Sequence, residues 1–402
     1  MDNNLRITFI GDIMCEKPLQ QAYQKYGAEV FSRVFSHTKD LFSRSDYVVG
    51  NLETVFGGTA IPYTKELYRF NTPDAFSTAI SDGGIHLVTT ATNHCLDCGV
   101  QGLKRTLDVL DRDGVAHTGT YRAPEERKVF IRELSGRRVA FLNYAYGTNV
   151  HETGVLLADD ELFHMGLLKP QTFRLQTYEG KRAGKARRAV SSALAVVTGD
   201  ETRIRLKRAL RMSYNSVRVD HLDADELDGQ YLETIRTELS AAREAADTVI
   251  VCLHCGGQFN REPGELSRYF ARFFAENGAD AVVCHHAHVV QRTEWIGSVP
   301  VAYCIGNYSI SPSSVYLLPD NLPEYSVALH LSLGENEIGA SFSVLKTVED
   351  ENGVPVVYPV EELAETLDAA ERRSLAADVG KIVERMTGRA GAETAGREYA
   401  LR

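Results

Sequence analysis

The sequence predicts an α/β fold in which a largely parallel β-sheet carries helices on its faces. Short β-rich runs alternate with amphipathic helical stretches through the first half of the chain, and the alternation returns after residue 228. Hydrophobic residues make up 44% and charged residues 24% of the 402 residues, which is ordinary usage for a globular protein. A chain of this length can bury one large core or two modest ones.

The alternating elements can be followed in order along residues 1–149, which we assign to the first half of one domain. Buried apolar runs predict strands at residues 5–10, 46–50, 85–90 and 138–145. Helical stretches are predicted between them at residues 18–42, 73–81 and 99–113. The last of these carries Leu103, Leu107 and Leu110 at helical spacing.

The pattern breaks at residues 150–228, which we predict to form an inserted basic lobe or lid. Residues 169–211 hold twelve Lys or Arg and three Asp or Glu, although the whole chain has 44 against 54 and a formal charge of -10. Two interpretations stay open, a solvated helical surface and a lid over an anionic substrate. The acidic balance of the chain argues against a nucleic-acid partner.

The α/β pattern resumes at residues 229–360, which we assign to the second half of the same domain. Helices are predicted at residues 231–246 and 265–277, and strands at 248–253 and 281–284. Further strands, expected to be antiparallel, are predicted at residues 299–303, 326–333 and 354–359. Residues 361–402 form a C-terminal segment that begins with a helix at 361–388.

Cysteine usage and hydropathy indicate where the protein acts. Seven cysteines are an odd number and too few for a disulfide scaffold in a chain of this size. The N-terminal residues lack the pattern of a signal peptide, and no stretch approaches the roughly 20 apolar residues of a membrane-spanning helix. We therefore expect a cytoplasmic protein with reduced thiols and no membrane anchor, and a homodimer as the candidate assembly.

The residues that can carry chemistry share one position, directly after a predicted strand. They are Asp12; Asn51 and Glu53; Asn93, His94 and Asp97; His254; and His286 and His288. In open α/β sheets, binding sites collect at the carboxyl ends of strands. Imidazole, carboxylate and amide oxygen together suit Mn, Fe or Zn. We therefore predict one or two divalent metal ions, a cofactor suited to hydrolysis.

These motifs resemble those of the bacterial capsule-synthesis, CapA/PgsA-type proteins, a branch of the calcineurin-like metallophosphoesterases. The resemblance runs from Arg6 to about Pro312. Its motifs are GDIM at 11–14, GNLE at 50–53, TNHCLD at 92–97, HTG at 117–119, HCGG at 254–257, HHAHVVQ at 285–291 and YCIGNY at 303–308. The resemblance implies a four-layer α/β/β/α fold with a metal centre above the sheets.

The resemblance also implies roles for single residues. The metal-site motifs place ligands at Asp12, Glu53, Asn93, His254, His286 and His288. His94 matches the histidine that contacts substrate or protonates the leaving group, and Asp97 is suited to orient it. We take His94, Asp97 and Asp12 as candidate catalytic residues. Asn51 is predicted to support Glu53, to act as a further ligand or to contact substrate.

Two further residues are candidates for binding the substrate. Arg69 lies in a segment, YRFN at 68–71, that resembles the substrate-side loop of the family. It is suited to bind a carboxylate or phosphate in bidentate fashion, and a surface ion pair is the alternative. Cys255 follows His254, where the family usually has an aromatic residue.

Other departures from the family pattern concern the metals and the thiols. Met14 stands where the wider superfamily has a histidine, and a thioether is a poor ligand for hard cations. Thr92 replaces the first asparagine of an Asn-Asn-His motif. Two C-x-x-C pairs, at 95–98 and 252–255, are too far apart for an ordinary zinc ribbon. Simple packing of these thiols is one interpretation, and acid–base chemistry is the other.

Three functions follow as hypotheses. The first is a metal-dependent hydrolase of a phosphoester or an anionic peptide amide, with a metal-bound hydroxide as nucleophile and His94 as general acid. The second is a peptide epimerase or isomerase that exchanges a Cα proton through His, Asp and Cys side chains. The third is a non-catalytic factor in capsule or poly-γ-glutamate assembly. The expected partner in the first two is an anionic small molecule or peptide.

Overall fold

The computed structural model describes residues 5–64, 69–172, 202, 220–223, 227–315, 317–335, 337–391 and 394–402. The strands are β1 (Leu5–Ile13), β2 (Tyr47–Leu52), β3 (Leu87–Thr89), β4 (Ala116–Thr118), β5 (Phe130–Leu134), β6 (Arg137–Ala145), β7 (Thr248–His254), β8 (Ala281–His285), β9 (Thr293–Ile296), β10 (Val299–Ala302), β11 (Tyr325–Leu333), β12 (Ile338–Glu349), β13 (Pro355–Pro359) and β14 (Tyr399–Ala400). The helices are α1 (Lys17–Tyr26), α2 (Glu29–Val34), α3 (Lys39–Phe42), α4 (Ala75–Asp82), α5 (Gly99–Arg112), α6 (Val150–Thr153), α7 (Gly229–Ala245), α8 (Glu265–Glu276), α9 (Val360–Thr366) and α10 (Ala369–Thr387).

Within these residues the strands form two mixed sheets. The first sheet has the order β13-β12-β11-β1-β2-β3-β4, with β14 paired to β12, and the second has the order β5-β6-β7-β8-β10-β9. Neighbouring strands are parallel along β1-β2-β3-β4 in the first sheet and along β6-β7-β8-β10 in the second. The other neighbouring pairs are antiparallel. The α/β fold class is therefore confirmed, although the expected largely parallel sheet is divided in two. The strand predicted at 299–303, here β10, pairs antiparallel with β9 as expected, but its other neighbour, β8, is parallel to it.

The layers follow from the alternation of side chains along the strands. In β7, Ile250 and Cys252 point into the core between the two sheets, while Val249 and Val251 point towards α7 and α8. Phe9 of β1 packs in the same inter-sheet core. Helices α1 to α5 cover the outer face of the first sheet. The result is the four-layer α/β/β/α arrangement that the motifs imply, with α9 and α10 against the inter-sheet core.

Two predicted helices are broken at identifiable residues. The stretch predicted at 18–42 forms α1, α2 and α3 because Gly27, with a φ of 88°, ends the first of them. The C-terminal helix is interrupted by the extended backbone of Leu367. Asp368 then starts α10 with a capping box, in which its side chain accepts from the backbone of Glu371.

The predicted insert at 150–228 is described only in part. Its first residues form α6 and a 3₁₀ turn at Asp159–His164, and the backbone of Leu168 pairs with Ala145 at the end of β6. Most of the basic stretch, at 173–201 and 203–219, lies outside the described residues. The insert and the domain boundaries remain predictions. In the described parts of the chain, no helix combines the length and the apolar character needed to cross a bilayer.

Candidate metal centre

The site lies where strands of both sheets end, and a close backbone contact fixes its first residue. The parallel register of β1 and β2 shifts between Ile10 and Asp12, so that Gly11 forms a bulge. A Cβ atom on Gly11 would lie 2.0 Å from the carbonyl oxygen of Gly306. The Asp12 amide donates to the same carbonyl at 3.1 Å. Only glycine permits this approach, which places the Asp12 carboxylate at the sheet edge.

The loop after β8 presents its histidines from unusual backbone conformations. His286 has a φ of 87° and His288 a φ of 57°. Positive φ is costly for residues other than glycine, and such strain collects at functional sites. The two imidazole rings, with centroids 5.7 Å apart, both border the same buried cluster.

Glu53 lies at the centre of this cluster. Its Oε1 atom is 3.5 Å from Nε2 of His254, 3.7 Å from Nε2 of His288 and 3.9 Å from Nε2 of His94. Among the described residues, neither carboxylate oxygen has a hydrogen-bond partner, and the same holds for both ring nitrogens of His286. Buried polar atoms are normally satisfied, so a group of them facing one another indicates a binding site.

Asp12 is held from three sides beside Glu53. Its Oδ1 atom accepts a hydrogen bond from Nδ2 of Asn51 at 2.8 Å, and Nδ1 of His288 lies 3.2 Å from Oδ2. The backbone amide of His286 donates to Oδ2 at 3.3 Å. The Asn51 amide nitrogen also lies 3.1 Å from Nδ1 of His254. Asn51 therefore links a carboxylate and an imidazole of the cluster, and its side chain is fully buried.

Burial and mutual charge set the protonation of the cluster. Burial raises the pKa of Glu53 to about 8, although His288 opposes the shift. Burial lowers the pKa of His254 to about 3 and lowers that of His286 well below its ordinary range. For His288, the carboxylates of Glu53 and Asp12 outweigh burial and raise the pKa. Because metal ligands must be deprotonated, a cation that binds here would displace the protons held by Glu53 and His288, whereas His254 and His286 are already neutral.

The donor set fits a divalent cation. Two groups of ligand atoms, each within 4.8 Å of one another, can be formed from the described residues: Glu53 with His286 and His288, and Asp12 with Glu53 and His254. Glu53 is common to both groups. Carboxylate oxygen with imidazole nitrogen suits Mn, Fe or Zn. The amide oxygen of Asn93, 2.7 Å from Nε2 of His254, extends this set.

His94 lies beside the cluster and is oriented by Asp97. Its Nδ1 atom lies 2.6 Å from Oδ2 of Asp97, which also accepts from the backbone amide of Phe70 at 2.6 Å. The Phe70 ring stacks on the imidazole with centroids 4.3 Å apart. Burial lowers the pKa of His94, but the charge and hydrogen bond of Asp97 outweigh it and raise the pKa above 6.5. The remaining nitrogen, Nε2, faces Glu53.

The three predicted substrate-binding residues lie in different surroundings. Arg69 donates from Nε to the carbonyl oxygen of Asp97 at 2.8 Å and lines a cavity of about 200 Å³. Asn51 lies inside the cluster, as described above. Cys255 is not brought to the cluster, because its side chain packs in the core beneath α7 and α8, with Sγ 3.8 Å from Oγ of Ser267.

Met14, which replaces a superfamily histidine, packs among apolar side chains that border the cluster. Its side chain is buried in an apolar group with Phe70, Phe259 and Val289. Its backbone is tied to Ser309, whose Oγ accepts from the Met14 amide at 2.9 Å and donates to the Met14 carbonyl at 2.8 Å. The position therefore serves packing beside the site.

Three residues of the site were missed as functional candidates in the sequence. Asn307, which lies in the YCIGNY motif at 303–308, places Oδ1 2.7 Å from Nδ1 of His288. The Tyr146 ring lies beside that of His286, tilted by 45° with centroids 4.8 Å apart, and Asn149 contacts His94. Tyr146 follows β6 directly, so the strand-end rule that located the other motifs would have found it, whereas Asn149 lies three residues further along the loop.

Comparison with known proteins gives consistent matches. The model of the family described as "Bacterial capsule synthesis protein PGA_cap" matches residues 6–312. The "PGA biosynthesis protein CapA" of Bacillus subtilis (strain 168) is 22% identical over 317 residues, 76% of this chain and 63% of that protein. The "Capsule biosynthesis protein CapA" of Bacillus anthracis is 20% identical over 311 residues, 76% of this chain and 60% of that protein. This chain thus spans about three fifths of the length of both relatives.

Proposed function

The chain belongs to the family described as "Bacterial capsule synthesis protein PGA_cap", and from this membership we propose that it is a metal-dependent hydrolase of a phosphoester or an anionic peptide amide. One observation carries the proposal. Glu53 is fully buried and faces three imidazoles within 3.9 Å, and neither of its oxygens has a hydrogen-bond partner in the part of the chain that the structure describes. A buried carboxylate in this state is costly unless a cation joins it.

Six side chains would hold the cation or cations: Asp12, Glu53, Asn93, His254, His286 and His288. A bound divalent cation supplies Lewis acidity towards the ester or amide oxygen and lowers the pKa of water. Asn51 orients the carboxylate of Asp12 through a 2.8 Å hydrogen bond. Asn307 orients His288, since its Oδ1 atom lies 2.7 Å from Nδ1 of that imidazole.

His94 is the group suited to protonate the leaving oxygen or nitrogen. Asp97 accepts a hydrogen bond from Nδ1 of His94 at 2.6 Å. The proton available for transfer is therefore held at Nε2, on the side of Glu53. The stacked Phe70 ring shields one face of the imidazole from water. Asp97 stabilises the imidazolium and fixes its orientation.

The substrate class is argued from charge and from the relatives. The names of the Bacillus relatives state capsule and PGA biosynthesis, and we propose that this chain acts on an anionic substrate in such a process. Arg69 supplies a cation next to Asp97. The predicted basic insert, most of which lies outside the described residues, would add further positive charge.

The test measures metal content and turnover in the same preparations. We would purify the chain without chelator and determine Mn, Fe and Zn by elemental analysis. We would then assay bis(p-nitrophenyl) phosphate, p-nitrophenyl phosphate and a γ-linked glutamate oligomer. His286→Ala should lose most of the metal and the activity, whereas His94→Gln should keep the metal and lose most of kcat. His117→Gln, which removes a histidine bound to Asp111 outside the cluster, should match the unaltered chain.

The same assay separates the hydrolase from the two other hypotheses. Deuterium uptake into an uncleaved peptide would favour the epimerase. Tight binding of an anionic polymer without conversion or exchange would favour the assembly factor. A folded chain that binds no Mn, Fe or Zn would overturn the metal-dependent hydrolase itself.

A further inference from the structure

Asn149 contacts two neighbouring residues of the site, Asn93 and His94, through its side-chain amide and its backbone N–H group. It follows β6 and precedes α6. Its Oδ1 atom accepts from Nδ2 of Asn93 at 3.0 Å, and its backbone amide donates to the Asn93 carbonyl at 2.9 Å. Its Nδ2 atom lies 3.1 Å from Nδ1 and 3.4 Å from Nε2 of His94. One side chain thus touches a candidate metal ligand and the candidate acid.

The contact with Asn93 decides which end of that amide faces the cluster. An amide has one oxygen that can bind a cation and one nitrogen that cannot. Because Nδ2 of Asn93 is engaged by Asn149, Oδ1 is turned towards His254, 2.7 Å from its Nε2 atom. Without Asn149, the amide could rotate and present its N–H groups to a cation.

The Asn149 side chain also contacts the His94 ring, which two other residues hold. Asp97 holds Nδ1 and the Phe70 ring covers one face. The Asn149 amide nitrogen lies close to both ring nitrogens and therefore restricts rotation of the imidazole. Together these contacts hold His94 in the orientation that places Nε2 3.9 Å from Oε1 of Glu53.

We propose that Asn149 is a positioning residue that aligns the Asn93 amide oxygen for the cation and fixes the His94 ring for proton transfer. This inference rests on the proposed metal-dependent hydrolase. It assigns the two ends of one side chain to two separable tasks. The oxygen of Asn149 acts on cation affinity, and its nitrogen acts on turnover.

Two substitutions separate these tasks. Asn149→Ala removes both ends, whereas Asn149→Asp keeps an oxygen that accepts from Asn93 and removes the N–H groups beside His94. We would prepare metal-free protein and measure Mn²⁺ binding by calorimetry, and kcat and KM with bis(p-nitrophenyl) phosphate. For Asn149→Ala we expect about tenfold weaker Mn²⁺ binding and a lower kcat, the size typical of groups behind metal ligands. Asn149→Asp should bind Mn²⁺ within about threefold of the unaltered chain, yet show reduced kcat with little change in KM.

Thr153→Ala provides the matched control. Its hydroxyl donates to the Asn149 carbonyl at 3.0 Å, so the substitution disturbs α6 but leaves the Asn149 side chain in place. Mn²⁺ affinity and kcat should be unchanged in this variant. Equal losses in Thr153→Ala and Asn149→Ala would overturn the proposal, since the effect would then come from the helix.

The outcomes also separate the inference from the function on which it rests. Unchanged Mn²⁺ affinity in Asn149→Ala, or an Asn149→Asp variant that loses as much affinity as the alanine variant, would overturn the role of the oxygen. Failure of the unaltered chain to bind Mn²⁺, Fe²⁺ or Zn²⁺ would overturn the proposed function and the inference together. Circular dichroism of each variant identifies a loss that is due to unfolding.

Discussion

The Oε1 atom of Glu53 lies 3.7 Å from Nε2 of His288 in a fully buried environment. This separation is too long for a hydrogen bond. It is close to the about 3–4 Å expected between two ligands that each lie about 2.0–2.2 Å from one cation. The pair therefore has the spacing of two ligands, and a shared cation would explain why neither Glu53 oxygen accepts a hydrogen bond from any residue that the structure describes.

Glu53→Gln should abolish stabilisation by metal without destabilising the metal-free protein. The substitution keeps the shape of the side chain and removes a carboxylate whose burial is costly. In the unaltered chain, metal at a hundred times Kd should raise the free energy of unfolding by about 2.7 kcal/mol. Thermal unfolding with Mn²⁺ and with a chelator measures this difference, which should vanish in Glu53→Gln.

Glu294→Gln is the control for this experiment. Glu294 accepts from the Tyr303 hydroxyl at 2.5 Å and pairs with Arg292 at 2.9 Å, away from the cluster. Its replacement should leave the stabilisation by Mn²⁺ intact. An equal rise in unfolding temperature for Glu53→Gln and the unaltered chain would remove Glu53 from the ligand set.

Gly11→Ala should destabilise the protein by about 2–4 kcal/mol and reduce metal affinity. The added Cβ would meet the Gly306 carbonyl at 2.0 Å, so the bulge that places Asp12 must shift. Gly339→Ala offers a comparison within a strand, since the nearest atom to its Cβ would be 3.6 Å away, on Ser332. Chemical unfolding and Mn²⁺ titration should show a large effect at the first position and a small one at the second. Equal effects would mean that the close approach of Gly11 is not what positions Asp12.

The sequence was informative about the site because the relevant strands are buried on both faces. Strands such as β7, with apolar residues at every position between Thr248 and His254, stand out as continuous runs, and the next polar residue marks the sheet edge. The family match confirms the resemblance read from these motifs. The pairing of strands was harder to predict, because an apolar run does not show which other strand lies beside it in the sheet. The division into two sheets and the parallel pairing of β10 with β8 depend on these long-range contacts.

Other features could not be predicted from the sequence because they depend on tertiary contacts. Strand β12 has partly exposed ends and a mixed pattern, and it is held by pairing with β11 and β13. Asn149 is an ordinary loop residue in the sequence, and only the folded chain brings it to His94. Likewise, the position of Cys255 after His254 suggested a side chain in the site, but the alternation of β7 turns it towards α8.

Cys255→Ala should leave turnover within about twofold of the unaltered chain and lower stability by about 1 kcal/mol. The thiol is buried under α7 and α8, so its loss affects packing and not the substrate. Steady-state kinetics and chemical unfolding test this directly. A large fall in turnover with unchanged stability would restore Cys255 as a functional residue and favour the epimerase hypothesis.

His330 should make the protein sensitive to acid through a site remote from the metal cluster. It is fully buried in β11, where its Nδ1 atom lies 2.7 Å from Oγ1 of Thr8 and its Nε2 atom 3.1 Å from Oγ of Ser343. Burial lowers the pKa of His330 from 6.5 to about 3, assisted by the charge of Arg6 and opposed by that of Glu398. The folded state therefore excludes a proton that the unfolded state binds below pH 6.5.

The sign of the effect follows from this difference. Above pH 6.5 both states hold a neutral His330, and its contribution to stability is fully present. As the pH falls from 6.5 towards 3, the contribution is lost by up to about 1.4 kcal/mol per pH unit. His330→Gln keeps hydrogen-bonding atoms between Thr8 and Ser343 but cannot titrate, so its free energy of unfolding should fall less steeply over this range. Urea unfolding of both proteins at several pH values between 4 and 7.5, with chelator present, measures the difference in slope, and parallel curves would show that His330 does not carry the acid sensitivity.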